Sequence, residues 1–410
     1  MTSIYGLRLL RRPGVQRVAL ISVLGLVLLV RGAQLLVFST QIQWGFDFFA
    51  YWQVAGNVLA GQPIYTAEQL AGTYSPQYKG LYLYPPFFAV AMTPLAVLFD
   101  DYRVANWAWA GVGAALLVLM VLGVSRREAL AVGRPALLLV GAAFAFPPVI
   151  GELVMGNVHL LVLGLLGVAW WSIDRSDAGV GKPPSGRQST RQGDVIAGAL
   201  VGMATLIKLF PAAVILWFLL TRRWTAAASS LITMLALAAI TLPIVGLDPW
   251  LDYPTVLLNL GAPVDTTDTV APTVWLSALL PPLMARVVIV AIGLAVVVWT
   301  TRRRSEPVSF AIAVVVSILV APALYHHYLA VLVLPLLIAA TWAPPIWWVG
   351  VAYVLMWGGE QEALGDMVWI VNRLLPTVGA VLLLAGLPLR GVGRGVGPGL
   401  GQDPARAAGR

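Results

Sequence analysis

The chain contains no cysteine, and only three histidines and three lysines (Lys79, Lys182 and Lys208) stand among its 410 residues. Without cysteine, disulfides, thiol nucleophiles and thiolate metal sites are excluded. Three histidines, His159, His326 and His327, leave little room for a histidine metal cluster, and no metal or other cofactor is expected. Charge is scarce too. Only 11% of residues are charged, against about 25% in a soluble domain. With 59% hydrophobic residues, that deficit excludes a water-soluble protein and marks an integral membrane protein. The alternating segments of about ten residues that build a membrane β-barrel are missing. No internal repeat is visible. No small-residue cleavage site follows the first apolar run, which is therefore expected to stay as a span.

What is present is a succession of apolar runs of about 17–25 residues, the length a helix needs to cross hydrocarbon. The expected fold is an all-α polytopic membrane protein with about 11–13 hydrophobic helices, its external loops carrying short amphipathic helices. The net charge is +8. It does not point to nucleic acid, because the arginines cluster beside the spans, as the positive-inside rule requires. Arg8, Arg11, Arg12 and Arg17 place the start of the first span (18–38) in the cytoplasm and an external loop at 39–84. Residues 85–99 open on two prolines and read as a partial insertion. Spans follow at 104–124, 135–150 and 153–171, then a cytoplasmic loop at 174–193 rich in Pro, Gly and basic residues. The run 194–221 is interrupted by Lys208 and Pro211, which predicts two half-length helices meeting there. A span at 226–245 leads to a second external loop, 247–273, where Asp248 and Asp252 beside prolines read as turn residues. Further spans are expected at 283–300, 308–320, 329–342, 345–358 and 367–388, with Glu360, Glu362 and Asp366 in an external turn. Residues 1–389 thus form one membrane domain, and 390–410 a flexible cytoplasmic tail.

The stretch from Trp44 to Pro86 organises the rest. Phe48, Trp52, Ala55 and Leu59, with Phe49 and Val58 alongside, form two adjoining rows at helical spacing. They predict an amphipathic helix over 48–60, flat on the membrane and stopped by Gly61. Asp47 sits at its mouth. It reads as an N-cap, or as a carboxylate positioned to take a proton from a sugar hydroxyl. Trp44, Trp52, Tyr82, Tyr84, Trp107 and Trp109 read as an interfacial aromatic belt.

An ionisable group inside an apolar block costs about 2.5–3.5 kcal/mol on conservative scales, so it needs a partner or a task. Lys208 is the clearest case, either snorkelling to an interface or gripping a phosphate at the helix break, and it is expected deeper than the other polar residues. His326 and His327 point about 100° apart on a helix, so at most one faces a given cavity. Glu152, after Pro147-Pro148, reads as a cap of the following helix or as a site residue.

Together these residues resemble a known family. The helix with Asp47, Tyr51 and Ala55, then Gly61, Tyr65 and Tyr84-Pro85-Pro86, is similar to the bacterial membrane glycosyltransferases of family 87. So are Leu206-Ile207-Lys208-Leu209-Phe210-Pro211 and His326-His327-Tyr328, and the likeness extends over most of 40–340. One departure is Gly156-Asn157-Val158-His159, which stands where the family pattern reads Gly-Gln-x-Asn.

The resemblance implies a GT-C fold and transfer of a sugar, mannose first and arabinofuranose second, from a polyprenyl-phosphate donor to a lipid-linked glycan acceptor. It implies a plasma-membrane protein, contacted by membrane lipids, with its site on the extracytoplasmic side. Asp47 would then be general base, and Lys208 with His326 or His327 would hold the donor phosphate. Tyr51, Tyr84, Glu152, Asn157 and His159 would contact substrate. A transporter or flippase of lipid-linked sugars is the rival from another class. It would more often show two related halves with matching broken helices.

Overall fold

Apolar runs punctuated by Pro and Gly fold here into helices and turns, with no strand among the described residues. The computed structural model describes residues 13–74, 79–130, 133–173, 191–260, 269–321, 324–342, 346–358 and 374–387. The expected acidic turn with Glu360, Glu362 and Asp366, positions 174–190 and 261–268 of the two loops, and the tail lie outside them.

Helix α1 (Pro13–Phe38) leads into α2 (Phe46–Leu59), the single turn α3 (Ala67–Ala71), the short pair α4 (Pro86–Ala91) and α5 (Thr93–Leu98), and the long α6 (Tyr102–Arg127). Helices α7 (Arg134–Ala145) and α8 (Pro147–Met155) meet at a bend of 62°. After them come α9 (His159–Ser172), α10 (Arg191–Ile207), α11 (Ala212–Leu220), α12 (Trp224–Val245), α13 (Asp248–Asn259) and α14 (Pro272–Ser277). The last described elements are α15 (Pro282–Arg303), α16 (Glu306–Leu319), a 3-10 helix (His326–Leu332), α17 (Val333–Trp342), α18 (Ile346–Leu355) and α19 (Leu375–Gly386). Among the described residues, four helices, α1, α6, α12 and α15, are long and apolar enough to cross a membrane alone, and the bent α7–α8 pair taken as one span would be a fifth.

Several expectations meet their physical reasons here. Residues 85–99 form two one-to-two-turn helices, because Pro86 and Pro94 each start a helix but cannot continue one. The run 135–150 breaks at Phe146, where Pro147 and Pro148 supply no amides to the helix ladder. The carbonyls left over are met from elsewhere. Arg31 of α1 donates from Nε to Phe144 O at 3.1 Å and from its terminal nitrogen to Ala145 O. A charged group in an apolar span thus fixes a bend in the neighbouring helix pair. The run 194–221 divides at Lys208–Pro211, as its lysine and proline predict. Asp248 and Asp252 are a correction: they lie in the first turns of α13 rather than in a loop, consistent with the helix dipole, which favours acids at an N-terminus.

The core centres on α16. Every residue from Pro307 to Leu319 is buried, so this helix is apolar all round because protein, not lipid, surrounds it. Its 14 residues rise about 21 Å, short of the hydrocarbon thickness of about 30 Å. Helices α10 and α12 pack face to face through a small-residue stripe. A Cβ on Gly198 would stand 2.1 Å from Ala226 O, and one on Gly202 2.3 Å from Ser230 O. Backbone approaches this close are available only to glycine.

One end of the bundle is tied by charge. Arg223 binds Asp194 at 2.8 Å and Glu306 at 2.9 Å, joining the starts of α10, α12 and α16. Buried Glu128 accepts the indole N–H of Trp170 at 2.9 Å and of Trp342 at 2.6 Å, joining the ends of α6, α9 and α17. Arg127 donates to carbonyls at the end of α9, Trp171 O and that of the residue following the helix, Ile173 O.

Gly202→Val should drive its side chain into the α12 backbone and lower the thermal midpoint of the detergent-purified protein by several degrees. Gly56→Ala, with nothing within 4 Å of its added Cβ, should leave it unchanged or slightly higher. Equal midpoints in a thermal-shift measurement would show that the α10–α12 contact is looser than described.

Candidate active site

At the other end of the bundle, polar side chains from four parts of the chain converge. Helix α2 begins after Gly45, whose φ of 63° turns the backbone sharply, and Gly45 N donates to Val154 O at 2.8 Å. The cap is therefore Gly45, not Asp47, and no side chain caps this helix. Asp47 is in the first helical turn, and its carboxylate is free to face inward. The buried face of α2 is Phe48, Ala50, Tyr51, Val54 and Ala55, which packs on protein, so α2 is not an amphipathic helix resting on lipid. Leu59, expected on the apolar row, is 55% exposed.

Helix α8 ends at Gly156, with φ of 68°. A Cβ there would meet Asn106 Oδ1 at 2.1 Å and Phe48 Cβ at 2.6 Å. That turn delivers Asn157 beside Asp47. Asn157 Nδ2 donates to Asp47 Oδ2 at 2.7 Å, while its Oδ1 accepts from Tyr84 Oη at 3.1 Å and from Val158 N at 2.7 Å. Tyr51 Oη donates in turn to Tyr84 Oη at 2.7 Å. Burial holds both phenols well above the ordinary tyrosine value, with Tyr84 adding to the effect on Tyr51 and Asp47 to that on Tyr84. They act as neutral hydroxyls in a chain that runs Tyr51, Tyr84, Asn157, Asp47. Trp44, Tyr82 and Tyr84 are buried rather than set in a belt, because their polar atoms bond inside: Trp44 Nε1 to Arg103 O, Tyr82 Oη to Pro85 O.

Three nitrogens face this chain. His327 Nε2 stands 3.6 Å from Asp47 Oδ2, and its Cβ lies where a side chain on Gly151 would come within 3.1 Å. His326 does not join it. Its Nε2 donates to Met356 O at 3.0 Å, since successive residues of a 3-10 helix diverge by about 120°. Lys208, at the α10–α11 break, has its Nζ 3.8 Å from the Tyr328 ring centre and 5.5 Å from that of Tyr84. It is therefore beside the other polar residues and not deeper than they are. His159 opens α9, its ring 3.9 Å from Tyr328 and stacked on Phe210 at 5.8 Å. Glu152 accepts the His159 backbone N–H, the cap its position suggested, and its other oxygen lies 3.1 Å from His159 Nδ1. His159 Nε2, His327 Nε2 and Lys208 Nζ are all buried without a hydrogen-bond partner. Tyr328 is the member of the pocket that sequence reasoning passed over; its place next to His326-His327 was the available signal.

Glu152, His159 and His327 could bring one ligand atom each within 4.8 Å of one another, a spacing that would suit a cation. The carboxylate of Glu152 is engaged by His159, however, and the positive charge of Lys208 already acts on it. We read the trio as a carboxylate–imidazole pair and a second imidazole around an ammonium, not as metal ligands.

An all-helical membrane protein with carboxylates, an ammonium and imidazoles gathered in one cluster has the equipment for polar group transfer. Residues 82–335 match the model of Glycosyltransferase family 87, and the chain belongs to that family. It is a membrane glycosyltransferase. A comparison with curated proteins returns no match. The matched stretch starts after Asp47, which the Asn157 hydrogen bond nonetheless brings into the pocket.

Asn157→Ala should leave folding intact but release Asp47 and Tyr84, lowering sugar transfer about 100-fold, the penalty typical of a small misplacement at a reacting centre. Transfer within threefold of wild type in membrane vesicles would exclude Asn157 as the group that orients Asp47.

Proposed function

We propose that the protein is an inverting glycosyltransferase that moves a sugar, mannose in our reading, from a polyprenyl-phosphate donor to a lipid-linked glycan acceptor on the extracytoplasmic face of the plasma membrane. The observation that carries this reading is the nearness of Asp47 and Lys208 to one another through Tyr84: Asn157 links the Asp47 carboxylate to Tyr84, and Lys208 lies over the Tyr84 ring. An acid and a cation with unmet hydrogen-bonding capacity, set around one pocket, suit a reaction in which a hydroxyl loses a proton as a phosphate departs.

Asp47 acts as general base on the acceptor hydroxyl. The oxygen so activated attacks the anomeric carbon from the face opposite the phosphate, which inverts its configuration in one step. Lys208 and His327 meet the charge that develops on the phosphate as its bond to carbon breaks. Their burial matters, since a cation that water does not screen attracts an anion more strongly. Tyr51, Tyr84 and Asn157 hold Asp47 in line. The arginines support this sidedness: Arg126, Arg127, Arg223, Arg302 and Arg303 lie at helix ends away from Asp47 and His159, and short basic segments stay in the cytoplasm. Mannose is assigned on family resemblance. Arabinofuranose is the alternative sugar, and a carrier of lipid-linked sugars is the alternative of another class. A carrier has no use for a base placed opposite a phosphate site.

Transfer of radiolabelled sugar from polyprenyl phosphate to membrane lipid, in vesicles with and without the protein, tests the reading. Asp47→Asn should abolish transfer while the protein still accumulates, and full activity in that variant would remove Asp47 as base. Lys208→Ala should raise the donor KM about 10-fold or more, the order of a charged hydrogen bond. An unchanged donor KM would count against phosphate binding at Lys208.

A further inference from the structure

Glu152 and His159 are more than a helix cap. One oxygen of Glu152 accepts the His159 backbone N–H, and the other lies 3.1 Å from His159 Nδ1. Both side chains are buried, at 1% and 0% exposure. The His159 ring is held between Tyr328 and Phe210, so it cannot swing away from its carboxylate. What remains is Nε2, buried and without a partner. The groups facing the pair are Lys208 from the α10–α11 break, His327 and Tyr328 from the 3-10 helix, Asp47 from α2, and Tyr84. A carboxylate–imidazole pair of this kind has two useful forms. Sharing two protons, it presents an N–H at Nε2; sharing one, it presents a lone pair there. Beside a phosphate, the form with the N–H is the complementary one.

We propose that the Glu152–His159 pair is the general acid of the transfer, with His159 Nε2 giving its proton to the donor phosphate as that group leaves. The proposal rests on the polyprenyl-phosphate reading given above. The step balances. The acceptor oxygen forms its bond to the anomeric carbon and passes its proton to Asp47. The bond between that carbon and the phosphate oxygen breaks, and its electron pair goes to the phosphate. The proton from His159 Nε2 adds to a phosphate oxygen, so the polyprenyl phosphate departs as a monoanion, with the same charge as the diester it came from. Asp47 then loses its proton and the pair regains one when water enters. Lys208 supplies charge throughout, and the pair supplies the proton. Neither Glu152 nor His159 needs to touch the acceptor.

The test uses the full chain in membrane vesicles and two donors: polyprenyl-phosphate mannose, and its analogue with one non-bridging phosphate oxygen replaced by sulfur. The thiophosphate is the weaker base and leaves with less help from an acid. Glu152→Gln retains an oxygen for the His159 N–H, and so keeps the cap, but cannot charge the imidazole. His159→Gln removes the acid itself. Both variants should lose about 100-fold or more in kcat with the oxygen donor, as expected for a missing general acid, and clearly less with the sulfur donor. Their donor KM should change by less than threefold. Equal losses with both donors would make the pair a positioning element only and overturn the proposal. So would a wild-type kcat in Glu152→Gln. If wild-type vesicles transfer sugar from neither donor, the donor assignment fails and this proposal with it, a result separable from active wild type with indifferent variants.

Discussion

The hydrogen bond from Asn157 Nδ2 to Asp47 Oδ2 joins the helix after the first span to the turn after the α7–α8 bend, two parts of the chain that also meet through Gly45 N and Val154 O. Its geometry is secured on both sides by glycine. Gly45 and Gly156 take up positive φ, and Asn106 fills the space where a Cβ on either would stand. Tyr84 and Trp109 hold Asn157 from behind, through its Oδ1 and its backbone carbonyl. The carboxylate therefore has one fixed direction. A side chain with two rotatable bonds seldom has that without such support.

Two groups of buried polar side chains differ in a physical way. In a medium where water cannot reach, a polar group without a partner is costly. At the charged end the groups have direct partners: Arg223 with Asp194 and Glu306, Glu128 with two indoles, Arg127 with carbonyls at the end of α9. These bonds fasten helices. In the pocket, His159, His327 and Lys208 each present a nitrogen with no hydrogen-bond partner, and Lys208 rests on an aromatic face instead. Capacity of that sort, gathered in one place, is what a ligand of opposite charge would use.

Arg31 shows how the bend is maintained far from the pocket. Pro147 and Pro148 free carbonyls at the end of α7, and the α1 guanidinium takes two of them. A charged residue in a lipid-facing helix is tolerable because its bonds point into the bundle. The bend in turn aims α8, so that Glu152 and Asn157 arrive facing α2 and the 3-10 helix.

Much of this was legible in the chain itself. Length and polarity of the runs gave the all-helical membrane fold, because backbone groups in hydrocarbon must be bonded within their own segment. Lys208 with Pro211 marked a break, and Gly61 a helix end, since proline and glycine act locally. Asp47, Lys208, His326, His327, Glu152, Asn157 and His159 stood out because ionisable or polar groups are rare in apolar surroundings. Other features depended on partners distant in sequence. That Asp47 leaves the cap to Gly45, that His327 and not His326 turns inward, that Tyr84 is buried, and that Lys208 lies on Tyr328 could not be read from spacing. Periodicity sets which residues share a face of one helix. Which face meets which neighbour is decided only when all the helices pack at once.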